Sequence, residues 1–219
     1  MSTITYEEVP YYVAGQKGSK AGIIVIQEWW GLNDQIKKKT AEFATAVGGL
    51  AISPDLYRGK VATEADEANH EMSKLNWDQA YNDVRNAVKY LKSQGVEKVG
   101  ITGFCLGGAL ALGSAIKVDG LSAAVVFYGV PGDAEPSKVK IPVQYHFGDK
   151  DTTEGFADKK TADKFKAGLV AAGKDVSEFH QYPEGNHAFM EESPAYPYNP
   201  ELAKKAFERA VSFFKKQLL

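Results

Sequence analysis

The chain has 219 residues, 44% hydrophobic and 25% charged, with a formal net charge of -2 at pH 7. That length and apolar content suit one substantial core, and with no Ser/Gly/Pro-rich linker or shift of composition the chain reads as one domain over residues 1–219. Lysines lie among acidic residues rather than in a basic stripe, which speaks against a nucleic-acid partner, and no apolar run nears the roughly 20 residues needed to span a membrane.

In chain order, a more alternating, edge-like strand is predicted near Tyr6 to Val13. Ile23 to Ile26 is a β-branched run bounded by Gly22 and the polar pair Gln27-Glu28, the pattern of a strand buried on both faces. Further strands are predicted near Leu50 to Ser53, Lys98 to Thr102, Ala123 to Tyr128, Ile141 to Phe147 and Val176 to Tyr182. Helical patterns alternate with them. Tyr81, Val84, Val88 and Leu91 share one face of a helix over Asp78 to Gln94, and Ala162, Phe165, Leu169 and Ala172 do the same later. The last helix takes Asn199 as N-cap and Pro200 at its first position, with Leu202, Ala206, Phe207, Ala210, Phe213 and Phe214 on one stripe. Strands alternating with helices imply an α/β fold. The central sheet is expected to be mostly parallel, of about seven or eight strands with helices on both faces, and ligands bind at the carboxyl ends of such strands.

Gly103-Phe104-Cys105-Leu106-Gly107-Gly108 follows one of those strands and leads into the helical segment Ala109 to Lys117. G-x-C-x-G between strand and helix has the shape of a nucleophile elbow, in which small residues permit a sharp turn that lifts one reactive side chain above the sheet. Cys105 is the candidate nucleophile. In that arrangement an acid and then a histidine must follow in chain order, each in a loop after a late strand. Of the four histidines, His146 and His180 fall inside predicted strands and His70 in an earlier helical stretch, leaving His187 in Pro183-Glu-Gly-Asn-His187 as the base. Asp149 and Asp151 both follow the strand ending at Phe147, and the position two residues further along the loop favours Asp151 as the residue that orients His187. The helix after Cys105 offers the backbone N–H of Leu106 to an oxyanion and a partial positive charge that lowers a thiol below its free pKa of about 8.5. The second amide is expected from the loop after Ile26, at Trp29. Glu28 in the same loop has no role that the residues alone assign, and a carboxylate beside a thiol opposes thiolate formation. Trp29, Trp30, Trp77 and Tyr128 either pack over a core edge or line a pocket.

Taken together, Gln27-Glu28-Trp29-Trp30-Gly31-Leu32, Pro54-Asp55-Leu56-Tyr57, the Cys105 elbow, Gly148-Asp149-Lys150-Asp151 and Gly185-Asn186-His187-Ala188-Phe189 resemble the dienelactone hydrolase (carboxymethylenebutenolidase) family of α/β-hydrolases. The resemblance implies a triad of Cys105, Asp151 and His187 with an oxyanion hole from the Leu106 and Trp29 amides. It also implies that Glu28 contacts the resting cysteine and is displaced by substrate. Relatives that open dienelactone hold its carboxylate with arginines, one of them four residues after the catalytic histidine, where this chain has Glu191. The chain's three arginines are Arg58, Arg85 and Arg209, and Arg58, in the loop after Tyr57, is the one placed to supply the missing charge.

The expected function is cysteine-dependent hydrolysis of lactones or activated esters through a thioester, with Arg58, Trp30, Trp77, Tyr128 and Glu191 as substrate-contacting residues. A general carboxylesterase or thioesterase is the second reading. A binding or redox-sensing protein using Cys105 is a third of a different class, and the absence of a second cysteine to resolve a sulfenic acid counts against it. No metal and no organic cofactor is expected, because the His and Cys residues lack metal-site spacing and no G-x-G-x-x-G occurs. The partner is then a small molecule. The first residues lack the charged-then-apolar order of a signal peptide, and one free cysteine suits a reducing compartment, so a cytoplasmic monomer or small homo-oligomer is expected.

Overall fold

The computed structural model describes residues 1–193 and 195–219. One eight-stranded sheet runs through it. The strands are β1 (Ser2–Tyr6), β2 (Val9–Gly15), β3 (Ala21–Ile26), β4 (Leu50–Pro54), β5 (Lys98–Phe104), β6 (Ala123–Phe127), β7 (Val143–Gly148) and β8 (Phe179–Tyr182), in spatial order β1-β2-β4-β3-β5-β6-β7-β8. From β4 to β8 every pairing is parallel, while β1 and β2 add an antiparallel edge. The helices are α1 (Asp34–Val47), α2 (Ala65–Ser73), α3 (Trp77–Ser93), α4 (Leu106–Lys117), α5 (Lys159–Ala171) and α6 (Pro200–Leu218).

Alternation along the strands sends neighbouring residues to opposite faces. Ile24 and Ile26 pack with Tyr81, Val84 and Leu91 of α3, Leu110 of α4 and Phe165 of α5. Ile23 and Val25 pack with Phe43 and Val47 of α1 and with Phe213 and Phe214 of α6. Both faces of β3 are therefore dry, which explains its unbroken apolar run. Asn199 caps α6 by accepting the Leu202 N–H at 3.1 Å, and Gly100 makes room for the α6 ring of Phe214, which a Cβ there would approach to 2.6 Å.

Two expectations shift, and one helix is added. The edge strand near Tyr6 to Val13 is a hairpin: Glu7 and Glu8 turn the chain at φ 48° and 63°, so the segment contributes the end of β1 and most of β2. Such two-residue turns are usually marked by Asn-Gly or Asp-Gly; Glu-Glu carries no such mark. The last strand starts at Phe179 rather than Val176 because Asp175 accepts the Ser177 N–H at 2.8 Å and bends the chain. Helix α1 was not assigned from sequence, although Asn33 caps it by accepting the Ile36 N–H at 3.0 Å and Gly48 closes it in the left-handed region.

Candidate active site

The site sits at the carboxyl ends of β3, β5, β6, β7 and β8. Cys105 lies between β5 and α4 at φ 54° and ψ -116°, a conformation that costs a non-glycine residue about 1–3 kcal/mol and persists only where its surroundings fix it. They do. The Cys105 N–H bonds Phe127 O at 3.1 Å. A Cβ on Gly103 would come within 2.1 Å of Gly107 O, one on Gly107 within 2.4 Å of Gln27 O, and one on Gly108 within 2.1 Å of Phe127 O. The glycines thus let the start of α4 press against the ends of β3 and β6, and this close approach is what the elbow spacing encodes.

His187, in the loop after β8, presents Nε2 to Cys105 Sγ at 3.2 Å. Its Nδ1 faces Asp151 Oδ2 at 2.6 Å. Asp151 is buried, and its other oxygen accepts the Thr153 N–H at 2.9 Å. Asp149 instead turns away, 3.9 Å from Lys159 Nζ. Burial pushes the Cys105 thiol well above its ordinary range, the nearby Glu28 carboxyl raises it further, and the Leu106 N–H pulls it back down. In the resting site the sulfur is a neutral thiol, with the Leu106 amide aimed at it.

On the other side of the sulfur, Glu28 is buried at the end of β3, and its Oε1 accepts the Tyr128 hydroxyl at 3.2 Å. The resemblance implied that Glu28 contacts the resting cysteine; its hydrogen bond goes to Tyr128, while the carboxyl stays near enough to Cys105 to act on the thiol. Tyr128 is itself fully buried, at φ 39°, with its ring edge-on to His187 at 5.3 Å. Burial and then the neighbouring Glu191 carboxyl hold Glu28 well above the usual carboxylate range. Trp29 Nε1 donates to Tyr196 OH at 3.0 Å, and the Tyr196 ring lies 6.2 Å from His187. Tyr196, like Phe156 with its ring 6.5 Å from His187, carries no sequence signal, because only the fold brings it to the site.

The sequence model of the dienelactone hydrolase family matches residues 9–218. The chain belongs to that family. Among its relatives, Protein usf of Aquifex pyrophilus is 33% identical over 94% of this chain and 93% of its own length. The carboxymethylenebutenolidase of Pseudomonas putida is 31% identical over 87% and 84%. A dienelactone hydrolase-like promiscuous phosphotriesterase from metagenomic libraries shares the fold at a TM-score of 0.83, with 20% identity over 100% of this chain and 98% of that one. As a dienelactone hydrolase family member the protein is a hydrolase of esters or lactones, with an α/β-hydrolase fold and a small-molecule substrate.

In this family member the residues expected to contact substrate divide. Trp29 and Trp30 are half-buried in the loop after β3, their rings 5.1 Å apart. Trp77, at the start of α3, lines a groove of about 450 Å³ with Tyr81, Lys117 and Phe156, the last of which also borders His187. Glu191 is buried against Glu28 rather than facing a ligand. Arg58 turns to Asp83, with Nη1 and Nη2 at 2.8 and 2.9 Å from its carboxylate, and donates to Asp55 O at 2.7 Å. The remaining arginines are also engaged: Arg85 with Asn82 and Lys117 O, and Arg209 with Tyr182 OH. Among the described residues no cluster of His, Cys, Asp and Glu is arranged to hold a metal, and no helix is long and apolar enough to cross a membrane.

Proposed function

We propose that the protein hydrolyses neutral lactones or activated esters through a thioester on Cys105. The observation that carries this reading is the continuous line from Asp151 Oδ2 through His187 to Cys105 Sγ, at 2.6 and 3.2 Å. His187 takes the thiol proton through Nε2 while Asp151 holds the Nδ1–H tautomer and stabilises the imidazolium. The thiolate attacks the substrate carbonyl. The Leu106 amide, freed from the sulfur as the new C–S bond forms, and the Trp29 amide receive the oxyanion. As the tetrahedral intermediate collapses, the C–O bond breaks and the alkoxide takes the proton from His187; in a lactone the alcohol stays tethered to the acyl group. Water, deprotonated by His187, then attacks the thioester, releasing the carboxylic acid and returning the proton to sulfur.

The high resting pKa of the thiol fits an enzyme that ionises its sulfur only with a carbonyl in place. Preference for a neutral substrate rests on the arginines, each of which spends its guanidinium on a protein partner, and on Glu191 standing where the family resemblance implied an arginine.

Hydrolysis of an aryl ester by wild type, Cys105→Ala and Cys105→Ser tests the reading. We expect Cys105→Ala to lose activity by several orders of magnitude with an unchanged thermal midpoint, Cys105→Ser to keep a trace, and an acyl adduct on Cys105 to appear by intact mass after a rapid quench. Full activity in Cys105→Ala would overturn the nucleophile.

A further inference from the structure

Three charged side chains meet behind Cys105 from parts of the chain that are distant in sequence. Glu28 ends β3, Glu191 follows the His187 loop, and Lys39 comes from the middle of α1. They are 3%, 2% and 6% exposed. Glu28 Oε1 has the Tyr128 hydroxyl as donor, but Glu28 Oε2 and Glu191 Oε2 are both buried without a donor among the described residues. Lys39 Nζ lies over the Phe104 ring, 5.7 Å from its centre, and makes no ion pair within 4.0 Å among the described residues. Two facing carboxylates with orphaned oxygens are each short of a donor, and a single proton placed between them supplies it.

We propose that Glu28 and Glu191 share one proton, with Lys39 as the countercharge of the pair, and that Glu191 thereby acts as a positioning residue that keeps negative charge off Glu28, the carboxyl facing Cys105. The assignment rests on Cys105 being the nucleophile. With one proton between the acids and one ammonium beside them, the buried cluster is electrically neutral. Two ionised carboxylates in the same place would repel each other and leave net charge in an apolar setting.

The location of the remaining negative charge is what matters to the thiol. Glu28 acts directly on Cys105, whereas Glu191 does not figure among the groups that perturb the sulfur. Burial pulls the Lys39 ammonium below its ordinary range, and Glu42 of its own helix, Glu28, Glu192 and Glu191 push back in favour of the charged form. That ammonium draws the charge of the pair away from the sulfur and into the α1 side of the cluster. Tyr128 and Tyr196 border the pair from the ends of β6 and the loop before α6, and both are held protonated by burial first and by the same acids second. Around the sulfur, then, His187 and Asp151 face it from one side and a neutral Glu28 from the other. Where the resemblance implied an arginine for a substrate carboxylate, this chain has Glu191, an acid buried against Glu28.

Glu191→Gln removes the shared proton while preserving shape. The amide becomes a donor to Glu28, which then ionises and faces Cys105 as a carboxylate. Alkylation of Cys105 by iodoacetamide at fixed pH values between 6 and 10, below the thiol's own midpoint, reads the thiolate fraction without any turnover. We expect Glu191→Gln to slow the reaction roughly tenfold at each pH, equivalent to a rise of about one pH unit in the thiol, and the same substitution made in a Glu28→Gln background to leave the rate of that background in place. Thermal unfolding of all three variants reports any loss of fold. An unchanged rate in Glu191→Gln, or an equal slowing with and without Glu28, would overturn the shared proton. The readout is independent of catalysis: loss of the nucleophile assignment would show as turnover by Cys105→Ala, and failure of the proton-sharing arrangement would leave ester hydrolysis by Cys105 intact.

Discussion

The two sides of Cys105 are built on opposite principles. Toward β7 and β8, the Asp151 carboxylate finds a donor for each oxygen, Thr153 N–H and His187, and the strand beneath it carries a saturated network in which His146 bonds both Tyr182 OH and Gln144 Oε1 at 2.8 Å. Toward β3 and α1, the Glu28 and Glu191 carboxyls each keep an oxygen without a donor among the described residues, and the Trp30 indole N–H and the Tyr57 hydroxyl are likewise unpartnered. Toward β7 and β8 the one such atom is Asp149 Oδ1, which lies outside the line from Asp151 to Cys105. A saturated network fixes geometry, which a base needs in order to transfer a proton repeatedly along one line. An undersatisfied cluster has states to choose between, which suits a group whose charge bears on the nucleophile.

Breaking the saturated side should produce the largest effect. In Asp151→Asn the amide presents its NH2 to His187 Nδ1 and forces the proton onto Nε2, the nitrogen that must accept from Cys105. We expect kcat/KM to fall by about 10³–10⁴. Asp149→Asn, with its carboxylate 3.9 Å from Lys159 and no contact with His187, should stay within about threefold of wild type. A larger loss in Asp149→Asn than in Asp151→Asn would exchange their roles and dissolve the contrast between the two sides.

Much of this was legible in the chain. The dry faces of β3 are written in Ile23 to Ile26, the close approach of α4 in Gly103, Gly107 and Gly108, and the order of Cys105, Asp151 and His187 in the loops that end successive parallel strands. Such features depend on local pattern and on a parallel topology that places strand ends side by side. Residues brought in by packing were not legible. Lys39 reads as one of three consecutive lysines on α1, yet it alone points inward because helical periodicity turns it toward Phe104. Glu191 reads as a loop acid, and nothing near it in sequence announces Glu28. Arg58 followed the Asp55-Leu56-Tyr57 segment plausibly into the cleft, but its partner Asp83 lies 25 residues on, across α3.

Arg58 sharpens the comparison at a smaller scale. Its guanidinium closes the buried Asp83 carboxylate, which also accepts Gln79 Nε2 at 3.0 Å, so Arg58→Ala should cost stability of about 1–3 kcal/mol. The ratio of kcat/KM for a neutral aryl ester to that for the same ester bearing a carboxylate should favour the neutral compound in wild type and change less than twofold in the variant. Wild-type preference for the carboxylate, abolished in Arg58→Ala, would place a substrate-binding cation in the cleft after all.

The two sides should also answer pH with opposite sign. His146 is buried between Phe127 and Tyr182, and burial, then the neighbouring His180 and Arg209, hold it well below the ordinary 6.5. Its contribution to stability is therefore present above about pH 6.5 and is lost as the pH falls toward its folded value, because the unfolded chain takes up a proton that the folded one refuses. Glu28 is displaced upward from 4.5, so its contribution is present below about pH 4.5 and is lost as the pH rises through its folded value. Between those limits the two oppose each other, each worth at most about 1.4 kcal/mol per pH unit, and 1 kcal/mol moves the midpoint of a chain this size by about 2–4 °C. Thermal midpoints of wild type, His146→Gln and Glu28→Gln at pH 7.5 and 5 separate them. His146→Gln should lose less stability than wild type on acidification and Glu28→Gln more; changes of the same sign in both would mean that the saturated and undersatisfied sides do not differ in how they hold their protons.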